Sequence, residues 1–340
     1  MKPLKLILCV VLVILVLGCK KQVTELDISA QNMEDFEAAW NRINDVYPFF
    51  EFKKIDWDSI YSVYRPRVEA ARGNEFYAIL QDLLAELKDA HVYYRSLLGG
   101  TVVPYSSPRQ LRDQHAFSLP LVKTYFNTAL LATEKGTAEY GILPDNIGYI
   151  FLSNLENDDL ADEFPIIIEY MMNTKGLIVD MRQNHGGSIE NIKVVVTQFL
   201  TSTLPWPGYY FLGELYPLDP LQPQGPFIYT NPVVLLINGI VLSAGETTSE
   251  MLKHLSNVTA VGDTTAGGGG AASNHLVKTM GHFNLPSGIM INIPTGYGLR
   301  YDGQQIEWLG VPPDIRVEQT EDDIINGRDK QLEYAIDLLK

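Results

Sequence analysis

Two short, continuous apolar segments constrain the fold of this chain more than any other feature. They cover residues 176–181 and 232–238, and each is followed at once by a turn of small residues and a helical pattern. Strands that are apolar at every residue are buried on both faces, as in a parallel sheet covered by helices. Because strand and helix patterns alternate over residues 147–262, the sequence predicts an α/β core.

Upstream of this core, apolar side chains recur three times at helical spacing. We therefore predict a small N-terminal helical subdomain over residues 30–91 and an α/β core over residues 92–340. Within the core we expect a strand at residues 119–122. We also expect a long loop over residues 205–230, which are rich in Pro, Gly and Tyr.

The N-terminus has the pattern of an export signal. A short positive segment precedes an apolar run over residues 6–17, which is shorter than the roughly 20 residues that span a bilayer. Val16-Leu17-Gly18-Cys19 has the pattern of a bacterial lipobox. We therefore predict a signal peptide (1–18), a lipidated Cys19 and a polar tether (19–29). This predicts a lipid-anchored protein of the bacterial cell envelope, facing the periplasm or the outside.

The composition argues against several classes of partner. The 340 residues carry a net charge of −15 without a long basic run, so nucleic acid is a poor partner. The two cysteines, Cys9 and Cys19, lie in the leader and at the lipidation site, which leaves no disulfide or thiol site. We predict no metal and no other cofactor, because no ligand-like spacing relates His115, His275 and His282. Membrane contact is predicted through the N-terminal lipid alone, and no oligomeric state is predicted.

Ser243 is the candidate nucleophile. It follows the second apolar segment and stands directly before a predicted helix, where backbone N–H groups are free and the helix dipole favours negative charge. An oxyanion could be bound there by the N–H of Ala244 and by that of Gly186 or Gly187, which follow the first segment. On spacing alone, Ser243 could equally be a simple helix N-cap and the glycine pair a simple tight turn.

A nucleophilic serine needs a base. His254 lies on the same helix as Ser243, roughly 15 Å away at 1.5 Å per residue, and cannot reach it. His91 lies at the junction of the two predicted regions, and His185 lies beside the glycine pair. The residues alone leave both histidines open as the base.

Five motifs occur in a characteristic order along the chain. They are Leu87-Lys88-Asp89-Ala90-His91, the segment 176–187, Ser243-Ala244-Gly245-Glu246, the segment 261–267 and the segment 307–315. Each motif is weak alone, but in this order they resemble the C-terminal processing (tail-specific) and tricorn-core family of serine peptidases. Within that family, the chain resembles the bacterial lipoprotein type without a PDZ domain.

The resemblance implies a crotonase-like (ClpP-like) core with Ser243 as the nucleophile. It also implies an oxyanion hole formed by backbone groups of Gly186, Gly187 and Ala244.

The resemblance also bears on the choice of base, because two base systems occur in the family. One uses a lysine in the glycine loop after the nucleophile helix, where this chain has Gly268. The other uses the histidine of the first motif, oriented by the glutamate of the last. The resemblance therefore implies His91 as the base and Glu307 as its partner. This chain departs from tricorn-type sites at Ala90, where they have a serine, and residues 92–146 lack a PDZ insertion.

The predicted function is a serine-type endopeptidase of the cell envelope that hydrolyses peptides or unfolded protein tails. The alternative is a non-catalytic ligand- or peptide-binding module on the same fold. The aromatic residues of the long loop would suit the ligand pocket of such a module. They are Tyr209, Tyr210, Phe211 and Tyr216. A CoA-dependent acyl enzyme is disfavoured, because no basic phosphate site is visible.

Overall fold

The computed structural model describes residues 25–271 and 281–340. The predicted signal peptide (1–18), Cys19 and His275 lie outside the described residues. The helices are, in chain order, α1 (Glu25–Val46), α2 (Phe50–Lys53), α3 (Trp57–Ala70), α4 (Glu75–Ala85), α5 (Pro108–Asp113), α6 (Leu119–Lys123), α7 (Asp159–Met171), α8 (Ile189–Thr197), α9 (Ala244–Lys253), α10 (Glu321–Ile325) and α11 (Lys330–Leu338), with a 3-10 turn at Pro144–Asn146. None of these helices is long and apolar enough to cross a membrane.

The strands form three sheets. In chain order they are β1 (Tyr93–Arg95), β2 (Thr101–Val102), β3 (Leu131–Ala132), β4 (Ala138–Leu143), β5 (Ile147–Leu152), β6 (Gly176–Asp180), β7 (Tyr209–Phe211), β8 (Glu214–Tyr216), β9 (Val233–Ile237), β10 (Val258–Gly262), β11 (Gly270–Ala271), β12 (His282–Asn284), β13 (Met290–Asn292), β14 (Gly296–Gly298) and β15 (Ile315–Arg316).

A seven-stranded sheet lies at the centre, in the order β15-β10-β9-β6-β5-β4-β3. Strands β5, β6, β9, β10 and β15 are parallel, and β4 and β3 continue the sheet in antiparallel fashion. The two apolar segments of the sequence form β6 and β9, which confirms the predicted α/β core. Asp180 pairs with Leu236, so β6 and β9 end side by side at one edge of the sheet.

Both faces of this sheet are covered by helices. On one face, Val179 and Leu235 belong to a hydrophobic core with residues of α7, α8 and α9. On the other face, Ile178 and Leu236 pack in a core that includes residues of α6 and α11. Successive side chains of a strand point to opposite faces, so a sheet covered on both sides requires apolar residues at every position.

Helix α3 packs against both α1 and α4 at the N-terminal end. Their hydrophobic core contains Phe36 and also Ile291 of the antiparallel sheet β12-β13-β1-β2. Asp56 begins α3 by accepting a hydrogen bond from the Ser59 N–H at 3.0 Å. Helix α1 includes part of the predicted tether, from Glu25 onward, and residues 25–32 contain no Pro or Gly that would interrupt a helix.

Two predictions from short patterns are wrong. Residues 119–122 belong to helix α6, where the Ser118 hydroxyl accepts a hydrogen bond from the Leu121 N–H at 3.3 Å and Pro120 occupies the first turn. An apolar run of four residues does not distinguish strand from helix. The predicted loop at 205–230 contains β7 and β8, which belong to the sheet β11-β14-β7-β8.

Candidate active site

Ser243 lies between β9 and α9 in a strained backbone conformation. Its φ and ψ are 58° and −126°, a region that residues other than glycine rarely adopt. The turn is held in place because the Leu242 N–H donates to the Asn184 carbonyl at 3.0 Å and the Gly245 N–H donates to the Leu242 carbonyl at 2.9 Å. The nucleophile turn is thus tied to the segment that follows β6.

The glycine pair after β6 packs directly against Ser243. A Cβ atom on Gly186 would lie 2.7 Å from the Ser243 Cβ and 2.9 Å from the Ala244 nitrogen, and the φ of Gly186 is 94°. Only glycine allows this approach without displacing the backbone.

Some of the backbone N–H groups beside Ser243 already donate a hydrogen bond, and others, within the described structure, are free to bind an oxyanion. The Gly186 N–H donates to the Asn184 side-chain oxygen at 2.9 Å. The N–H groups of Gly187 and Ala244 have no acceptor among the described residues. Of the two glycine donors that the sequence left open, the geometry therefore favours Gly187, paired with Ala244 at the start of α9.

His91 and Ser243 line the same pocket, which has a volume of about 220 Å³. Its other walls include Gly187, Ala244, Ile189, Ile192, Tyr209 and Phe211. Both nitrogens of the His91 ring are buried and lack a hydrogen-bond partner within the described part of the chain. Burial lowers the pKa of His91 below its ordinary value of 6.5 and so favours the neutral ring, the form that can accept a proton.

His185 occupies a different position. It is exposed, and it is not among the residues that line the pocket. The pocket therefore brings together Ser243 and His91, whereas His185 lies outside it.

Glu307 is buried near this pocket but is not hydrogen-bonded to His91 in the described structure. One carboxylate oxygen lies 2.6 Å from the Lys53 Nζ, and the other has no partner among the described residues. Burial raises the pKa of Glu307 well above its ordinary value, the charge of Asp89 raises it further, and Lys53 lowers it. That Glu307 orients the His91 ring stays a prediction.

Comparison with known sequences bears on this site. The sequence model described as peptidase family S41 matches residues 146–317, half of the chain, including the glycine pair and Ser243. The chain belongs to peptidase family S41. The model of the tricorn protease C1 domain also matches, at residues 29–85, which cover much of α1, α3 and α4. These matches confirm the predicted membership of a serine peptidase family.

Individual relatives agree with the S41 assignment. The chain is 26% identical to the tricorn protease of Thermoplasma acidophilum over 194 residues, which are 57% of this chain and 16% of that protein. It is 26% identical to the carboxy-terminal processing protease CtpA of Bacillus subtilis over 179 residues, which are 51% of this chain and 35% of that protein. The chain thus spans only a minor part of these curated relatives.

Similarity in three dimensions covers nearly the whole chain. A crystal structure of a candidate peptidase from Parabacteroides merdae has a TM-score of 0.77 and 27% identity, and covers 91% of this chain and 96% of that one.

Lys53 is a residue of the S41 site region that the sequence analysis missed. Its Nζ is buried and lies 3.2 Å from Asp89 and 2.9 Å from the Tyr47 hydroxyl, in addition to Glu307. Asp89 in turn accepts the His91 backbone N–H at 2.9 Å. A single lysine in a short aromatic segment gives no local signal of this role, because its partners lie far away in the sequence.

Glu246 is the second missed residue, although it belongs to the predicted nucleophile motif. Its buried carboxylate accepts the Thr265 hydroxyl at 2.5 Å and the backbone N–H groups of Gly267, Gly268 and Ser243 at 2.7, 2.8 and 3.2 Å. Burial raises the pKa of Glu246, and the hydrogen bonds lower it. Burial has the larger effect, so the pKa is about 7. A glutamate three residues after a capping serine is a signal for local capping, and here it also holds the glycine loop.

Proposed function

We propose that this chain is a serine-type endopeptidase of the cell envelope that hydrolyses peptides or unfolded protein tails. Ser243 would be the nucleophile and His91 the base. Gly187 and Ala244 would supply the oxyanion hole, with Gly186 allowing their close approach. One observation carries the proposal. Ser243 is strained, shares a pocket with His91, whose ring nitrogens are buried, and lies beside two N–H groups that have no acceptor among the described residues.

The mechanism follows from these positions. The Ser243 oxygen attacks the peptide carbonyl while the His91 ring accepts its proton, and the carbonyl oxygen becomes an oxyanion facing the N–H groups of Gly187 and Ala244. The protonated His91 ring then donates to the leaving amine, and the C–N bond breaks. After the amine leaves, water attacks the acyl carbonyl while His91 accepts its proton. The bond to the Ser243 oxygen then breaks, and His91 returns the proton to that oxygen. Glu307, one carboxylate oxygen of which has no partner in the described part of the chain, would stabilise the charged ring.

The pocket indicates the class of side chain that is accepted. Its walls beside Ser243 include Ile189, Ile192, Tyr209 and Phe211, and the Tyr209 hydroxyl is already paired with Thr247 at 2.7 Å. Such a surface favours an apolar residue on the carbonyl side of the cleaved bond.

Location and architecture belong to the same proposal. A lipid on Cys19 would hold the peptidase at the membrane, with the N-terminal helical region (30–91) preceding a core (92–340) of the crotonase-like (ClpP-like) type.

A fluorophosphonate probe tests the mechanism directly. The full chain, purified in detergent, should be labelled at Ser243. Labelling should be lost in Ser243→Ala and retained in Ser249→Ala, a serine on the same helix. The variant His91→Ala should slow labelling, whereas the matched variant His185→Ala should not. A folded chain that is not labelled would contradict the activated serine and favour the non-catalytic binding module instead.

A further inference from the structure

A buried charge cluster joins the N-terminal helices to the active site. Lys53, at the end of α2, places its Nζ 2.6 Å from Glu307 and 3.2 Å from Asp89, and all three side chains are buried. The same Nζ donates to the backbone carbonyls of Leu87 and Lys88, both at 3.0 Å. A buried ammonium with this many acceptors is fixed in one position, and so are the groups that it binds.

The cluster lies next to the His91 ring. Both border the loop 267–270: a Cβ on Gly268 would lie 3.4 Å from the His91 Cε1, and a Cβ on Gly269 would lie 2.5 Å from the Glu307 nitrogen. Gly268 and Gly269 are consecutive, and their Cα atoms are about 3.8 Å apart. The His91 ring and the Glu307 backbone therefore contact neighbouring residues of the same loop. One oxygen of Glu307 and both nitrogens of His91 lack partners among the described residues.

We propose that Lys53 is a positioning residue that acts on the proposed active site through Glu307. By pairing with one oxygen of that carboxylate, it favours the charged form of Glu307 against burial and the charge of Asp89, and it leaves the second oxygen for the His91 ring. Lys53 supplies one positive charge for the two carboxylates Asp89 and Glu307. The cluster therefore keeps a net negative charge, which the proton taken up by His91 during acylation balances.

Several groups besides Lys53 influence the charge of Glu307. Tyr47, Asp89, Tyr105 and Glu246 interact with it through their charges, and the His91 ring borders the same loop as the Glu307 backbone. Asp89 and Glu246 raise the pKa of Glu307, and Lys53 lowers it. Loss of Lys53 would raise this pKa further, so that Glu307 would become charged only at a higher pH.

The test is the pH dependence of fluorophosphonate labelling, compared between the full chain, Lys53→Met and the control Lys54→Met, whose side chain is exposed. We expect Lys53→Met to slow labelling near neutral pH, by about tenfold for each unit that the pKa of Glu307 rises, with recovery at higher pH. Lys54→Met should match the unmodified chain. A loss that is equal at every pH would show a merely structural role and overturn the proposal.

The double variant Lys53→Met/Glu307→Gln tests whether Lys53 acts through Glu307. Its labelling rate near neutral pH should be close to that of Glu307→Gln alone. Its pH profile should differ only by the direct effect of the Lys53 charge, which lowers the pKa of His91. Losses that multiply would overturn the proposal. A second measurement does not require Lys53→Met to fold. It is the infrared difference spectrum between the full chain and Glu307→Gln, which reports the protonation state of Glu307. At the pH of maximal labelling it should show an ionised carboxylate, and a protonated carboxyl would overturn the proposal. If the unmodified chain is not labelled at all, the proposed function itself fails.

Discussion

The backbone N–H of Ser243 donates to the side-chain carboxylate of Glu246 at 3.2 Å. The same carboxylate oxygen accepts the N–H of Gly268 at 2.8 Å, and Gly268 packs against the His91 ring. One buried acceptor therefore connects the strained turn at Ser243 to the loop beside the proposed base.

Glu246→Gln should impair both stability and labelling. The amide side chain keeps only one acceptor oxygen, so some of the buried N–H groups that now donate to Glu246 would lose their acceptor. Each unsatisfied N–H group costs about 1–3 kcal/mol of stability. We expect the free energy of unfolding in urea to fall by at least about 2 kcal/mol and the labelling of Ser243 to slow. The control is Glu250→Gln on the same helix, where the carboxylate accepts one loop N–H, that of Tyr301. Equal labelling rates in the two variants would contradict this role of Glu246.

Asn184→Ala should slow acylation more than its effect on stability implies. Asn184 holds the Gly186 N–H and donates to the Leu152 carbonyl at 3.0 Å, so it positions the glycine pair. The matched variant Asn191→Ala also removes a buried asparagine that donates to two carbonyls, those of Leu155 and Asn157. Both variants should lose about 1–3 kcal/mol of stability, but only Asn184→Ala should slow labelling by roughly a hundredfold. Similar labelling in both would argue against an oxyanion hole at this turn.

The His91 ring should titrate below pH 6.5 in the folded chain, because burial disfavours its charged form. The unfolded ring would bind a proton near 6.5 and the folded ring only at lower pH, so this group's contribution to stability is lost as the pH falls below about 6.5. Proton NMR of the imidazole signals, assigned with His91→Gln, measures the midpoint. A midpoint above 6.5 would contradict the buried, neutral base.

Local patterns were sufficient for the central sheet and for the position of Ser243 beside the glycine pair. The segments that form β6 and β9 are apolar at every position because both of their faces are covered, and this requirement is visible in the sequence itself. Ser243 and the glycine pair stand directly after these strands, so their proximity follows from parallel neighbours that end at the same edge.

Partners that lie far apart in the sequence were beyond local patterns. Lys53 and Glu307 form a buried ion pair, but neither position carries a periodic or spacing signal that names the other. The choice between Gly186 and Gly187 depended on one side-chain hydrogen bond from Asn184. Helix α6 was mistaken for a strand because its cap, Ser118, outweighs the propensity of a short apolar run.

Ile189→Asp should change the preference for the residue on the carbonyl side of the cleaved bond. Ile189 lines the pocket and begins α8, where an acidic residue is compatible with the helix dipole. We expect cleavage after apolar residues to fall by roughly 10–100-fold in kcat/KM and cleavage after Lys or Arg to rise. Mass spectrometry of a peptide library varied at that residue measures both. The control Leu215→Asp changes an exposed residue of β8 and should leave the preference unchanged.

Asp329→Ala should be among the most destabilising single substitutions in the chain. Arg182 is fully buried and donates to Asp329 at 2.7 and 2.8 Å as well as to Asp180 at 2.9 and 2.6 Å. Asp329 also caps α11 by accepting the Leu332 N–H at 2.9 Å. Removing one carboxylate leaves a buried guanidinium half paired, so we expect a loss of about 3–5 kcal/mol in urea unfolding.

A matched surface pair separates this effect from the loss of any acidic residue. Asp337, on α11, pairs with Lys340 at 2.8 Å beyond the end of that helix, and both side chains are exposed. Its replacement by alanine should cost less than about 1 kcal/mol. Because Arg182 directly precedes the segment that carries the glycine pair, Asp329→Ala should also slow the labelling of Ser243. A loss of stability no larger than that of Asp337→Ala would show that the guanidinium does not depend on Asp329.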